Sequence, residues 1–298
     1  MIRRHRVLHL SDPHLTGTGI DENGVDAKAA LERMLHDARF VPGIDLVVVS
    51  GDIADDGSAE GYVSVLELVG RFAAERGVPH VYCTGNHDVR TVFAAVLGSG
   101  HLAPDGRDIG RLAPGAGDLR VAVSEVSGLR IITLDSLVPG SIHGFVSDGQ
   151  LAWLRSLLAQ AAPAGSVVVV HHAPIALDSW PPMGSVNLRN AGEFADAVSG
   201  ADVRAVLCGH FHLQLSGSLA GVPVWVTPGI VSRVDLTAPP HLERAVKGAG
   251  ATVVDLGGSV SPMFHILQAR DPQAGAQVYL ADAESGEDVN QEVPTAPD

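Results

Sequence analysis

Five short runs of β-branched and aliphatic residues occur along the chain, and each stops abruptly at Asp, Asn or His. Residues 6–11 run into Asp12-Pro13-His14, 47–50 into Gly51-Asp52, 81–84 into Gly85-Asn86-His87-Asp88, 167–170 into His171-His172, and 203–208 into Gly209-His210-Phe211-His212. Apolar runs of this length without polar alternation predict strands buried on both faces. Between them the period changes to that of a helix. Residues 25–40 place Ala27, Ala30, Leu31, Met34, Leu35 and Ala38 on one stripe, ending before Pro42-Gly43. Ser58 is a helix N-cap for a second stripe, Tyr62, Val65, Leu66, Val69, Phe72 and Ala73, which runs to Arg76 and stops at Gly77 and Pro79. Strand, helix, strand, helix, strand in that order predicts parallel pairing.

The middle of the chain changes character. A short helix over 91–97 precedes a Gly-, Pro- and Asp-rich loop over 98–118; runs 119–126 and 129–135 then flank Ser127-Gly128, which predicts a hairpin. A second sheet, or antiparallel strands at an edge, is implied. A helix is expected over 148–160, a Pro-rich loop facing substrate over 173–190, and a short helix over 191–198. Runs 214–219 and 222–226 about Ala220-Gly221 form another expected hairpin, with late strands over 251–256 and 263–267. Beyond Arg270 there is no Lys or Arg and little periodicity except Val278-Tyr279-Leu280. The expected organisation is one domain over 1–270 and an acidic tail over 271–298 that is mobile or a peripheral strand.

Composition narrows the function. The 298 residues are 46% hydrophobic, ample for a large core, and carry Asp+Glu 34 against Lys+Arg 20, a formal charge of -14. Phosphate neutralisation on nucleic acids needs basic surface, so a nucleic-acid partner is disfavoured. An acidic protein still accepts an anionic substrate where bound cations reverse the local field. No apolar stretch is long enough for a membrane span, and the one after the basic N-terminus is too short for a signal peptide, so a cytoplasmic location is expected. Cys83 and Cys208, each near the end of an apolar run, read as buried free thiols.

Ligand sites in α/β sheets collect beyond the carboxyl ends of the strands, so five polar strand endings point to one shared site. Asp, Asn and neutral His all ligate divalent metals, and the pattern reads as a metal site assembled from strand ends. Taken singly, a His at a strand end is more often structural and an Asp before a turn is more often a cap.

Asp12-x-His14, Gly51-Asp52 with Asp55, Gly85-Asn86-His87-Asp88, His171 and Gly209-His210-x-His212 together resemble the motif set of the calcineurin-like metallophosphoesterases, in that family's order, over residues 6–230. The resemblance implies a four-layer α/β/β/α sandwich with mixed sheets and the metal site at the carboxyl ends of the strands. It implies one metal on Asp12, His14 and His212, a second on Asn86, His171 and His210, and Asp52 bridging them. That donor mixture suits Fe, Mn, Zn or Co more than Ca. Two such ions share a hydroxide for in-line attack at phosphorus, without a phosphoenzyme. His87 is implied beside the scissile phosphate, stabilising charge or protonating the leaving oxygen, with Asp88 orienting it by a hydrogen bond. Asp55 is expected to be structural, and His172 to pack or to hold its neighbour. His143 is open between a phosphate contact and no functional role; Trp180, in the Pro-rich loop, is a candidate substrate contact.

Within the family, Leu10-Ser11-Asp12-Pro13-His14-Leu15, residues 129–136 and Val138-Pro139-Gly140 with His143-Gly144 are most similar to bacterial class III cyclic nucleotide phosphodiesterases. Pro13 departs from the small polar residue common there; it leaves both neighbouring ligands in place and stiffens the turn. The implied reaction opens 3',5'-cyclic AMP to the 5'-monophosphate. The alternatives are a broader diesterase acting on glycerophosphodiesters or 2',3'-cyclic nucleotides, and a non-catalytic scaffold, which the full donor set and His87 argue against. A homodimer is compatible with the resemblance, though no stretch specifies one.

Overall fold

Alternate residues of the apolar runs go to different cores, which is why the runs lack polar positions. In the strand Leu46–Val49, Leu46 and Val48 face one hydrophobic layer and Val47 and Val49 another. In Ser166–Val169, Val167 and Val169 share that first layer while Val168 packs the other way. The shared layer lies between two sheets packed face to face. The computed structural model describes residues 4–177, 185–239, 241–282 and 285–289.

The first sheet has a parallel centre of β1 (His5–Leu10), β2 (Leu46–Val49) and β3 (His80–Tyr82), closed on one side by the antiparallel β4 (His101–Leu102). On the other side lie β14 (Gly250–Leu256) and β15 (Met263–Gln268), giving the order β15-β14-β1-β2-β3-β4. The second sheet contains β5 (Arg111–Leu112), β6 (Ala122–Val126), β7 (Leu129–Thr133), β8 (Ser166–Val169), β9 (Val203–Cys208), β10 (Leu215–Leu219) and β11 (Val222–Val226), in the order β10-β11-β9-β8-β7-β6-β5. Its centre, β7-β8-β9-β11, is parallel. Helices α1 (Ala27–Ala38), α2 (Ala59–Arg76) and α3 (Arg90–Leu97) cover the outside of the first sheet, and α4 (Asp148–Leu158) and α5 (Ala191–Val198) the outside of the second. The result is the expected four-layer sandwich. No helix among the described residues is long and apolar enough to cross a membrane.

Local chemistry accounts for the joints. The Ser58 side chain accepts from Gly61 N at the start of α2, and Gly77 closes it at φ 64°. Ser127-Gly128 and Ala220-Gly221 all have positive φ, as two-residue hairpin turns require. Between the sheets, Trp225 stacks on Phe264 at 4.5 Å and donates to Thr252 Oγ1 at 2.9 Å.

The five polar-ended strands divide between the two sheets: β1, β2 and β3 belong to the first, β8 and β9 to the second. The segment over 98–118, read as a loop, carries β4 and β5, one edge strand for each sheet. A third, small sheet of β12 (Arg233–Val234), β13 (Leu242–Val246) and β16 (Gln277–Asp282) stands beside them in the order β12-β13-β16, with Val278-Tyr279-Leu280 in its last strand.

Candidate metal centre

The polar endings of β1, β2 and β9 leave their strands through left-handed backbone. Among the described residues, seven non-glycines have positive φ; two belong to hairpin turns, and the other five are Asp12, His14, Asp52, His210 and His212. A left-handed conformation costs a non-glycine residue about 1–2 kcal/mol, so its concentration at one place marks a site where geometry outweighs local stability. Glycine permits the close approach. A Cβ on Gly51 would lie 2.4 Å from His171 Nδ1, and one on Gly85 would lie 2.2 Å from Asp52 Oδ1. Gly51 therefore admits an imidazole from the second sheet, and Gly85 leaves room for the Asp52 carboxylate within the first.

The imidazoles are aimed from behind. His171 Nδ1 lies 2.7 Å from the Ser50 carbonyl, and His14 Nδ1 lies 2.8 Å from Asp55 Oδ1. Both partners only accept, so each Nδ1 carries the proton and each Nε2 presents a lone pair to the centre whenever the ring is neutral. His212 Nδ1 is held at 2.9 Å by Ser232 Oγ. On the inner side, His171 Nε2 is 3.2 Å from both Asp52 Oδ2 and Asn86 Oδ1. His14 Nε2 is 3.6 Å from Asp52 Oδ2 and 3.3 Å from His212 Nε2, which in turn is 3.5 Å from Asp12 Oδ1. His210 Nε2 is buried without a hydrogen-bond partner.

These donors fit a metal. Asp12, His14 and His212 can offer ligand atoms within 4.8 Å of one another, and so can Asp12, Asp52 and His171. Two nearly inaccessible carboxylates amid inward-facing ring nitrogens, one of them orphaned, are costly for the protein alone and suited to a cation.

Electrostatics carry the same imprint. Burial pushes the Asp12 carboxyl up, yet His212 and His171 outweigh it and hold it at about 2. Burial also opposes ionisation of Asp52, which His171 and His14 reverse, leaving it well below the carboxylate range. Burial lowers His171 but Asp52 raises it further, to about 9. His210, facing burial first and the neighbouring His171 second, falls to about 3 and stays neutral. Protons on His171 and cations compete for the same carboxylates, so metal uptake releases protons.

His87 stands at the mouth. Its N–H donates to Asp52 Oδ1 at 2.9 Å, its ring meets that of His14 edge-on at 4.6 Å, and its Nδ1 lies 3.0 Å from the Asp55 carbonyl and 3.3 Å from Asp55 Oδ1. Burial disfavours its charged form, but Asp55 and Asp52 raise it to about 10; cations beside Asp52 would oppose that rise. The hydrogen bond expected from Asp88 to His87 is therefore absent, and Asp55 makes it. Asp88 instead accepts from Gly85 N at 2.7 Å, Ile53 N at 3.1 Å and Tyr62 Oη at 2.7 Å. Those bonds tie the two strand-end turns together and leave it facing away from the ring. Asp55, expected to be structural, braces both His14 and His87.

His172 packs against His171 and His210 and bonds Ser136 Oγ through Nδ1 at 2.8 Å. A cavity of about 610 Å³ opens over the centre, lined by His14, Asp52, Asn86, His87, His210 and His212. Ile142 rather than His143 represents its loop in that lining. Trp180 lies outside the described residues. Ser232 and the cavity residue Glu243 went unremarked in the sequence, and Tyr279 was noted there only as part of an apolar stretch, because no spacing signal marks a site role for them.

A family profile described as calcineurin-like phosphoesterase matches residues 5–214. The chain is 35% identical over 250 residues to a probable cyclic nucleotide phosphodiesterase of Rhodococcus erythropolis, covering 83% of this chain and 77% of that one. It is 36% identical over 248 residues to a cAMP/cGMP dual specificity phosphodiesterase of Mycobacterium tuberculosis, covering 82% and 73%. Among solved structures, a purple acid phosphatase from yellow lupin seeds aligns with a TM-score of 0.53 at 12% identity, covering 97% of this chain and 53% of that one. That last likeness speaks to the fold alone.

Proposed function

The chain belongs to the calcineurin-like phosphoesterases, and on that premise we propose that it is a metal-dependent phosphodiesterase that hydrolyses 3',5'-cyclic nucleotides, cyclic AMP among them, to 5'-monophosphates. One observation carries the reading: side chains from five strand ends on two sheets converge on a single buried donor set under a cavity large enough for a nucleotide. The names of the relatives support the substrate class.

In this reading Asp12, His14 and His212 would hold one ion and Asn86, His171 and His210 a second, with the Asp52 carboxylate a ligand available to both. Carboxylate, amide and imidazole together suit Fe, Mn, Zn or Co. Two cations there supply Lewis-acid polarisation of the phosphoryl oxygens and a nucleophilic oxygen at neutral pH. The protein's own part is to orient and to move a proton. His87, braced by Asp55, stabilises charge on a phosphoryl oxygen and presents a proton to the leaving oxygen. Glycines 51 and 85 keep the donors close, and the buried rim excludes bulk water.

The test is kcat/KM of the metal-reconstituted protein on 3',5'-cyclic AMP, 2',3'-cyclic AMP and a glycerophosphodiester, with Asp52→Ala as the blank. Preference for the 3',5' ring, absent in the blank, is expected. Equal rates on all three would make it a generalist diesterase.

A further inference from the structure

Above the metal donors the cavity lining mixes apolar side chains, Ile142, Val186, Val231 and Val234, with polar and acidic ones, among them Glu22, Asn23, Glu243, Tyr279, Asp282 and Asp288. No Lys or Arg lines it among the described residues. Its volume of about 610 Å³ far exceeds what a phosphate needs, so most of the space serves the rest of the substrate. Acidic side chains without neighbouring cations do not attract the phosphate; they suit a part of the ligand that donates hydrogen bonds.

Glu243 and Tyr279 form a bonded pair in that lining. They come from neighbouring antiparallel strands, β13 and β16, where Glu243 pairs with Ala281 and Tyr279 with Ala245. The two large side chains are thus diagonal neighbours on one face, each beside an alanine that leaves room around it. Tyr279 Oη donates to Glu243 Oε1 at 2.5 Å. That bond uses the phenol's only proton, so toward a ligand the pair has acceptors and no donor: the second carboxylate oxygen and the phenol lone pairs. The lining is also tied to the reaction centre, because Glu22 N donates to Asp55 Oδ2 at 2.7 Å, and Asp55 braces His14 and His87.

Resting on the cyclic-nucleotide reading, we propose that the Glu243–Tyr279 pair sets base specificity, accepting from the exocyclic amino group of a purine whose ring packs on the adjoining apolar side chains such as Val234. A buried or half-buried acceptor left without its donor is the cost that rejects the wrong base.

The experiment measures kcat/KM for 3',5'-cyclic AMP and for purine riboside 3',5'-cyclic monophosphate, which lacks only the amino group, together with bis(4-nitrophenyl) phosphate. It uses the metal-loaded full chain as wild type, Glu243→Gln and Tyr279→Phe. The wild type should prefer cyclic AMP by about tenfold, a single hydrogen bond to a charged acceptor. Glu243→Gln, which puts a donor where the carboxylate accepted, should lower that ratio at least threefold; Tyr279→Phe, which frees the carboxylate, should lower it less. General damage to the site would depress both nucleotides together and leave the ratio unchanged. Turnover of cyclic AMP with the same ratio in all three proteins would overturn this inference alone. Hydrolysis of bis(4-nitrophenyl) phosphate with neither nucleotide turned over would overturn it together with the cyclic-nucleotide reading.

Discussion

The first sheet brings Asp12 and Asp52 to the cavity, with Asp55 and Asp88 just behind them; the second brings His171, His172, His210 and His212. The second sheet's nearby carboxylate, Asp135, is occupied by Arg90, which reaches across from α3 with Nε 2.7 Å and Nη2 2.9 Å from its two oxygens. The carboxylates are therefore loaded on one rim, beside His14 and His87, while the other rim offers imidazoles. The sets Asp12–His14–His212 and Asp12–Asp52–His171 each draw donors from both rims. The difference explains why the carboxylates tolerate burial: they need either protons on the facing imidazoles or cations between the rims.

The largest effect should come from removing the anionic side. Asp52→Asn leaves size and hydrogen bonding nearly intact yet removes a buried negative charge from the donor set, and should lower kcat/KM roughly 1,000-fold in steady-state assays. The next test separates the rims physically. Arg90→Ala strands the fully buried Asp135 and should cost about 3 kcal/mol in urea denaturation, with Arg90→Lys restoring only part because it cannot make the forked contact.

A smaller effect distinguishes the two acidic neighbours of His87. His87→Asn should lower kcat roughly 100-fold with metal content retained, as expected of a proton-handling group. Asp55→Asn should reproduce a share of that loss, whereas Asp88→Asn should register mainly as lower stability, since its bonds run to backbone N–H groups and Tyr62. The reverse pattern would restore Asp88 as the group that orients His87.

The smallest effect probes the join away from the metals. His101 on β4 bonds Ser124 Oγ at 2.7 Å and Thr133 Oγ1 at 2.9 Å, linking the edge of the first sheet to the second. Burial holds its imidazole down at about 3. The folded chain keeps it neutral while the unfolded chain takes up a proton below about pH 6.5. Its contribution is thus complete above that pH and is lost as the pH falls toward 3. Between pH 6.5 and 5 the loss should be about 2 kcal/mol, and denaturation of His101→Gln across that range should show a correspondingly flatter slope.

Sequence made the strand endings legible because ligand-type residues adjoin apolar runs, and both the helices and the hairpin turns carried their own capping and turn residues. It did not say which sheet each run joins: a strand buried on both faces presents the same pattern in either. Asp55 and Asp88 are equally close to the motif in sequence, and only folding decides that Asp88 is consumed by the turn it stabilises. Leu242–Val246 escaped notice because its half-buried positions lack clean alternation, and with it went the Glu243–Tyr279 pair.

The most direct measurement is bound metal per chain by elemental analysis for the wild type, Asp52→Asn and His210→Ala after identical reconstitution. The predicted result is about two ions in the wild type, about one in His210→Ala, and loss of both in Asp52→Asn. Metal content unchanged by both substitutions, or none in the wild type, would contradict a centre assembled half from each sheet.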